Sequence, residues 1–207
     1  MSSGADLASL AGSRGRRPFG DLRRPGLIVI DAQRLFCDPA SPAWLPEWRR
    51  AEPQVRRLAE TFAHRGRPVV FTRHGHPPDD SGGLIARFFG RLQRRGDPVT
   101  ELAESLRPLS AAALLVDKAR HSALSAPGVR QALAGCDAVV LAGVQTPLCV
   151  LATALAAADT CWVPIVAADA TAARRLAEHL AALEVLACGH AHVATTAEVL
   201  ATFFEQP

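Results

Sequence analysis

The sequence predicts an α/β protein of three layers, α/β/α, in which a six-stranded, mostly parallel sheet of Rossmann-like order lies between two layers of helices. Short apolar runs alternate with helical patterns from residue 27 onward, which is typical of a parallel sheet covered on both faces. Right-handed crossovers between parallel strands then place helices on either side of the sheet. The length of 207 residues fits one domain with a sizeable core.

Six apolar runs predict the strands of this sheet. They are "LIVID" (27–31), "PVVFT" (68–72), "AALLVD" (112–117), "AVVLAG" (138–143), "WVPIVAAD" (162–169) and "AHVAT" (191–195). The last residues of these runs matter most for function, because ligands of open α/β sheets bind at the carboxyl ends of the strands.

The segments between the strands show the apolar spacing of helices. In "EPQVRRLAETFAHRG" (52–66) the apolar residues fall on one face, with Pro53 near the start and Gly66 at the end. Further helices are predicted in 84–92, 127–135, 147–159, 172–187 and 197–204. Residues 1–25 are rich in Arg, Ser and Gly and predict a flexible arm, so the folded domain is expected over 26–207.

Composition argues against several classes of protein. The formal charge is +3, the aromatic fraction is 5% and the basic residues are spread along several helices, so no nucleic-acid partner is expected. No apolar run reaches the ~18–20 residues that span a bilayer, and the N-terminus makes a poor secretory signal, so no membrane partner is expected. The cysteines are Cys37, Cys136, Cys149, Cys161 and Cys188. An odd number without a C-x-x-C pair favours a reducing cytoplasm over a disulfide framework or a zinc knuckle.

Three residues with reactive side chains stand at the predicted strand ends. Asp31 ends the first strand, Lys118 follows the third, and Cys149 lies just after the fourth. Lys118 is also the single lysine among 23 basic residues, and a lysine can be tuned by its surroundings where an arginine cannot. Because the strands are expected to be parallel, we expect these three side chains to meet at one edge of the sheet.

The stretch "VQTPLCVLAT" (144–153) predicts how Cys149 is presented. Thr146 is a plausible N-cap with Pro147 at the first helical position, which puts Cys149 in the first turn of a helix. A helix N-terminus and the Lys118 ammonium would both lower the pKa of the thiol. Asp31 could take the thiol proton and return it to a leaving amine. The alternative is that Cys149 is a small apolar core residue.

Four segments of the chain resemble the isochorismatase-like cysteine hydrolases, a family that includes nicotinamidase and N-carbamoylsarcosine amidohydrolase. The segments are "LIVIDAQRLF", "PVVFTRHGHP", "VDKARHSAL" and "VVLAGVQTPLCVLATALAAAD…VPIVAADAT". The most specific motif is G-x-x-T-x-x-C-V-x-x-T, formed by Gly143, Thr146, Cys149, Val150 and Thr153. The resemblance covers roughly residues 26 to 200.

The resemblance implies a mechanism as well as a fold. Asp31, Lys118 and Cys149 would form the catalytic triad, and Cys149 would cleave a C–N bond of a small amide-type substrate through a thioester. It also implies a cis peptide bond at Val144–Gln145 and an oxyanion hole formed by the N–H groups of Gln145 and Cys149. A homo-oligomer, dimer or tetramer, is expected, and no cofactor.

Two other functions stay open. Isochorismatases resemble the same family but usually lack the cysteine, because the vinyl ether that they cleave needs no thiol; this makes vinyl-ether hydrolysis the first alternative. A non-catalytic small-molecule-binding protein of the same fold is the second. Among the other cysteines, Cys37 could line the pocket, while Cys136 and Cys161 are expected to pack beside strands.

Several polar and aromatic residues near the predicted strand ends are candidate substrate contacts. They are Gln33, Phe36, Arg73, His74, His76 and His121. Nicotinamidases bind a metal at positions that align with His74 and His76. Because alternate side chains of an extended segment point to opposite faces, and because no third ligand is evident nearby, we predict no metal here and expect both histidines at the pocket rim.

Overall fold

The computed structural model describes residues 22–160 and 162–205 and has the predicted three-layer α/β/α architecture. Its six strands form one sheet in the order β3-β2-β1-β4-β5-β6, and every pair of neighbours is parallel. This is the doubly wound order that the sequence predicted. Most of the predicted arm, residues 1–21, and the predicted packing of Cys161 lie outside the described residues.

The strands and helices alternate along the chain. The strands are β1 (Pro25–Ile30), β2 (Val69–His74), β3 (Leu114–Lys118), β4 (Ala138–Val144), β5 (Val163–Ala172) and β6 (His192–Ala194). The helices are α1 (Arg34–Cys37), α2 (Trp48–His64), α3 (Gly83–Phe89), α4 (Arg107–Ser110), α5 (Pro127–Ala132), α6 (Leu151–Ala158), α7 (Leu176–Gly189) and α8 (Thr196–Phe204). Short 3₁₀ turns lie at Pro98–Thr100, Glu104–Leu106 and Ala123–Ser125, and a π turn at Thr146–Val150.

The apolar residues of the central strands alternate between two cores. In β1, Leu27 and Val29 pack with α2 and α8 on one face of the sheet. Ile28 and Ile30 pack with α5, α6 and α7 on the other face. Because every residue of β1 is buried, the strand reads as a continuous apolar run and not as an alternating one.

The observed strand ends differ slightly from the predicted ones, and the difference affects two functional candidates. Strand β1 ends at Ile30, so Asp31 lies just beyond it, with a left-handed φ of 48°. Strand β3 extends one residue further than predicted, so Lys118 is its last residue and pairs with His74 of β2. Helix α2 begins at Trp48, earlier than predicted, and accommodates Pro53 within it.

In the middle of the sheet, β1 lies beside β4, and the strand order reverses between these two strands. Ile30 is the register partner of Gly143, which has a φ of 103°. A side chain at Gly143 would collide with the Ile30 carbonyl oxygen, so glycine is required at this position. The Val144–Gln145 peptide bond that follows is cis, at the position that the family resemblance implied.

No helix within 22–160 and 162–205 is long and apolar enough to cross a membrane. Assembly into a dimer or tetramer and a cytoplasmic location stay predictions.

Candidate active site

A cavity of about 250 Å³ opens at the carboxyl edge of the sheet. Its walls combine apolar side chains with a few polar and charged groups, as small-molecule sites usually do. The lining residues are Asp31, Leu35, Phe36, Ala43, Leu45, His74, Ile85, Phe89, Gln93, His121, Gln145, Leu148, Cys149 and Arg174. The cavity thus lies at the switch point between β1 and β4, where a doubly wound sheet is expected to bind its ligand.

The carboxylate of Asp31 is fully buried at the floor of this cavity. Thr72 of β2 fixes the residue from two directions: its carbonyl oxygen accepts from the Asp31 N–H, and its hydroxyl donates to Asp31 Oδ1 at 2.8 Å. The second oxygen, Oδ2, lies 2.6 Å from Lys118 Nζ, but no described residue donates a well-aligned hydrogen bond to it. A buried carboxylate oxygen with spare acceptor capacity can take up a proton from a neighbour.

The ammonium of Lys118 lies at the centre of the polar cluster. Besides Asp31, its Nζ contacts Cys149 Sγ at 3.5 Å and donates to the carbonyl oxygen of Arg120 at 2.9 Å. Burial lowers the pKa of this lysine, but the charge of Asp31 and the hydrogen bonds to Asp31 and Cys149 outweigh burial, and the net direction is upward. Lys118 therefore stays charged although its side chain is fully buried.

The turn that carries Cys149 differs from the predicted helix start. Thr146 is the first residue of the π turn and not an N-cap, because its hydroxyl pairs with Nδ1 of the buried His179 at 2.8 Å. The N-cap position belongs to Gln145, which forms no side-chain cap. The N–H groups of Leu148 and Val150 both donate to the Gln145 carbonyl, so the turn closes on the residue that follows β4.

The second threonine of the motif fixes the back of the same turn. The Thr153 hydroxyl donates to the carbonyl oxygen of Cys149 at 2.6 Å and accepts from the Ala123 N–H at 2.9 Å. Val150 points into the core between these two threonines and is fully buried. Each motif residue therefore has a structural role around Cys149. Gly143 allows the close approach of two strands, the hydroxyls of Thr146 and Thr153 anchor the turn, and Val150 packs in the core.

The pKa of the Cys149 thiol is raised, not lowered as predicted. Burial is the largest cause, and the charge of Asp31 adds to it, while Lys118 opposes both. The expected effect of a helix N-terminus is not enough to lower the pKa, because Cys149 is buried, with only 9% of the residue exposed. Cys149 therefore rests as a thiol and needs a base at the moment that it attacks.

Three predicted substrate contacts line the cavity: Phe36, His74 and His121. His121 Nδ1 lies 3.7 Å from Cys149 Sγ, and burial followed by the Lys118 charge lowers the pKa of His121. His74 Nδ1 lies 3.5 Å from Lys118 Nζ, and the same two causes lower its pKa to about 4. Both imidazoles are therefore neutral near neutral pH.

Three other predicted substrate contacts, Gln33, Arg73 and His76, are not among the residues that line the cavity. Gln33 is buried, and its side chain bonds to the backbone of two other segments. It accepts from the His74 N–H and donates to the His74 and Thr100 carbonyls. Arg73 points to the other face of β2, where it pairs with Asp117 and Glu101. His76 is fully buried behind His74 and was expected at the rim.

The two histidines do not diverge as predicted. Their Nε2 atoms lie 3.2 Å apart, because β2 ends at His74 and Gly75 turns the chain before His76. Even so, the donors do not fit a metal of the nicotinamidase kind. Within the described chain, the three-donor group is Asp31, His74 and Cys149, with ligand atoms all within 4.8 Å of one another. The Lys118 ammonium lies within 3.5 Å of each of them, so a positive charge already occupies this place.

Arg174 is the charged residue of the cavity wall that the sequence analysis did not predict. It follows the end of β5, it is exposed, and no described carboxylate pairs with it. The strand-end argument did not select it, because the predicted fifth strand ends at Asp169 whereas the observed one continues to Ala172. Ile85 and Phe89 of α3 were also missed as lining residues, because an amphipathic pattern does not show which residues face a cavity.

The other cysteines are placed away from the chemistry. Cys37 is buried in the core and does not appear in the cavity wall, and burial raises the pKa of its thiol. Cys136 packs against the other core as predicted, and Cys188 is exposed.

A family model described as the isochorismatase domain matches residues 25–198. The chain belongs to the isochorismatase-like hydrolase family. Its relatives include a phenazine biosynthesis protein, PhzD1, of Pseudomonas aeruginosa, 34% identical over 183 residues that cover 86% of both chains. A probable isochorismatase of Pseudomonas chlororaphis is 31% identical over 87% of this chain and 86% of its own. A maleamate amidohydrolase of Pseudomonas putida is 30% identical over 64% of this chain and 65% of its own.

Solved structures agree with this family. N-carbamoylsarcosine amidase of Thermoplasma acidophilum superposes with a TM-score of 0.70 at 30% identity, covering 84% of this chain and 96% of that one. A cysteine hydrolase of Pseudomonas syringae has a TM-score of 0.79 at 24% identity, with 86% and 91% covered, which shows a common fold. The relatives therefore include proteins named for amide hydrolysis and one named for isochorismate hydrolysis.

Proposed function

We propose that the protein hydrolyses the C–N bond of a small, carboxylate-bearing amide, with Cys149 as the nucleophile. One observation carries this proposal: the Lys118 ammonium lies 2.6 Å from Asp31 Oδ2 and 3.5 Å from Cys149 Sγ, and both of these residues line the cavity. A base and a thiol that lie within 4.8 Å of each other and contact the same cation are the parts that thiol-based acyl transfer needs.

In the first half of the reaction, Asp31 takes the thiol proton on Oδ2 while Cys149 Sγ attacks the amide carbon. The Lys118 charge stabilises the thiolate as it forms, which offsets part of the cost of burying that charge. The N–H groups of Gln145 and Cys149 would stabilise the developing oxyanion. The C–N bond breaks as the proton on Asp31 passes to the leaving nitrogen, and a thioester remains.

In the second half, water attacks the thioester carbon and gives a proton to Asp31. The carbon–sulfur bond breaks, and the same proton returns to the sulfur of Cys149. Asp31 thus serves as acid and base in alternation, and neither half needs a proton from outside the site.

The position of Arg174 favours a substrate that carries a carboxylate. Its guanidinium is at the cavity wall without a described carboxylate partner, and guanidinium groups bind carboxylates through two parallel hydrogen bonds. The apolar part of the wall, including Phe36 and Leu148, suits a short hydrocarbon between the carboxylate and the amide. The name of the maleamate amidohydrolase relative fits a substrate of this class.

The test is a panel of paired amides, each a monoamide of a small dicarboxylic acid beside its uncharged diamide, scored by ammonia release. We expect turnover of at least one monoamide and weaker turnover of its diamide. Arg174→Gln should raise KM for the monoamide about tenfold and leave KM for the diamide unchanged. Arg175→Gln is the matched control, because Arg175 pairs with Glu178 and does not line the cavity. Equal effects of Arg174→Gln on KM for both substrates would show that Arg174 does not bind the substrate carboxylate.

Vinyl-ether hydrolysis is the second candidate, because the relative named as a probable isochorismatase covers most of this chain. Cleavage of a vinyl ether begins with protonation by an acid, a role open to Asp31 without Cys149. Cys149→Ala separates the two candidates. Loss of ammonia release supports amide hydrolysis, whereas isochorismate cleavage that survives the substitution supports the alternative.

A further inference from the structure

Behind the catalytic cluster, the buried Lys118, His74 and His76 form a closed circuit of polar contacts with the partly buried Asp80 and the exposed Arg120. Apart from Lys118, the proposed reaction does not use these residues. Lys118 Nζ contacts His74 Nδ1 at 3.5 Å, His74 Nε2 contacts His76 Nε2 at 3.2 Å, and His76 Nδ1 contacts Asp80 Oδ2 at 3.0 Å. Arg120 closes the circuit, since its guanidinium donates to Asp80 Oδ2 at 2.7 Å and its carbonyl accepts from Lys118 Nζ at 2.9 Å.

The hydrogen bonds of this circuit can run in only one direction. An ammonium has donors and no acceptor, so His74 Nδ1 must accept and the ring proton must lie on Nε2. That proton is donated to His76 Nε2, which leaves the proton of His76 on Nδ1, facing the acceptor Asp80. The reverse assignment would place an N–H of His74 against the Lys118 ammonium.

Charges at both ends favour this direction. Burial and then the Lys118 charge lower the pKa of His74 to about 4, so its ring is neutral. At the other end, the Arg120 guanidinium, the Gly82 N–H and His76 hold the pKa of the Asp80 carboxyl well below its usual range. An anion at one end and a cation at the other keep every ring proton pointing toward Asp80.

We propose that a directed hydrogen-bond chain through His74, His76 and Asp80 positions the Lys118 ammonium for catalysis. Two of the three N–H bonds of Lys118 are used, one by the Arg120 carbonyl and one by His74, which leaves the third for the side that Asp31 and Cys149 occupy. The chain lies at the positions that align with the metal site of nicotinamidases, and here the two imidazoles hold a cationic side chain in place. The kinetic part of this inference rests on the proposed amide hydrolysis; the proton positions do not.

The proton positions can be read in the resting protein by long-range ¹H–¹⁵N NMR of histidine-labelled samples. We expect His74 protonated on Nε2 and His76 on Nδ1, each assigned by loss of its signals in a single substitution. One equivalent of zinc should leave both rings unchanged. A His74 ring protonated on Nδ1, or rings that lose their protons on binding stoichiometric zinc, would overturn the chain.

The positioning role is measured with Asp80→Asn and His76→Gln, since neither residue lines the cavity. We expect kcat to fall roughly ten- to a hundredfold with KM unchanged, because the ammonium is displaced rather than the substrate. Alkylation of Cys149 by iodoacetamide should slow in parallel, and this readout needs no substrate. Asp137→Asn is the matched control: Asp137 is likewise held by backbone N–H groups and an arginine, but next to Arg24 at the start of the sheet.

The possible outcomes separate the two proposals. Unchanged kcat and unchanged alkylation in both variants would refute the positioning role. If the expected tautomers are found and Asp80→Asn slows alkylation, but Cys149→Ala still releases ammonia, then the chain stands and the proposed nucleophile is wrong.

Discussion

The two parts of the cavity wall differ in how firmly they are held. At the strand ends, Asp31, Lys118 and Cys149 are buried, and each has anchors on neighbouring strands or turns. Helix α3 contributes Ile85 and Phe89 to the same cavity but contains no buried residue. Its flanking residues Gly82 and Gly90 adopt left-handed conformations, so the backbone turns sharply at both ends.

The difference in packing predicts different roles for the two regions, catalysis for one and substrate recognition for the other. Catalysis requires groups held to within a fraction of an ångström, which buried strand ends supply. Recognition of a substrate tolerates a wall that is half-exposed and loosely packed. We therefore expect substitutions at the strand ends to change kcat and substitutions in α3 to change KM.

The largest effect is expected for Cys149→Ala. Removing the nucleophile should lower kcat for amide hydrolysis by roughly 10³-fold or more, since a residual rate can come only from the rest of the site. The measurement is ammonia release at saturating substrate, with circular dichroism to verify folding. A variant that keeps a tenth of the activity would show that Cys149 is not the nucleophile.

Lys118→Arg comes next. We expect a loss of about a hundredfold in kcat although the positive charge is kept, because the planar guanidinium cannot fit the place of a compact ammonium between Asp31 and Cys149. The rate of Cys149 alkylation should fall with it. Near-normal turnover would show that this part of the wall needs only charge.

A smaller effect is expected in α3. Phe89→Ala should raise KM roughly three- to tenfold with kcat unchanged, as expected for loss of one apolar contact with an aromatic ring that is 56% exposed. Phe88→Ala is the matched control, because Phe88 is 81% exposed and does not line the cavity. A fall in kcat in the Phe89 variant would contradict the division between the two regions.

The smallest effect concerns stability and not activity. Burial lowers the pKa of His179, the partner of Thr146, to about 4. Between that value and the ordinary pKa near 6.5, the unfolded chain binds a proton that the folded chain does not, so stability is present above about pH 6.5 and is lost as the pH falls. His74 adds a loss of the same sign.

The measurement is the free energy of unfolding in urea from pH 7 down to pH 4. We expect His179→Gln to be less sensitive to pH by about 2 kcal/mol over this range. An equal slope in the variant and the unsubstituted protein would show that folding does not lower the pKa of His179.

The sequence by itself determined the fold class and the three residues of the polar cluster at the strand ends. The buried runs that alternate with helices require a parallel sheet, and the strand-end rule then selects Asp31, Lys118 and Cys149. These predictions succeed because they depend on period and position along the chain. Arg174 was missed by the same rule, because the predicted fifth strand stops at Asp169 and the structure extends it to Ala172.

Only the tertiary structure decided which neighbouring polar groups face the cavity and what each proton does. Three predicted contacts lie near the strand ends in sequence but do not face the cavity. Gln33 bonds to the backbone of His74, Arg73 points to the opposite face of β2, and His76 lies behind His74. The Cys149 thiol was expected to be acidic, and its burial reverses that. Side-chain direction and desolvation are set by atoms distant in the chain, and a linear pattern therefore does not contain them.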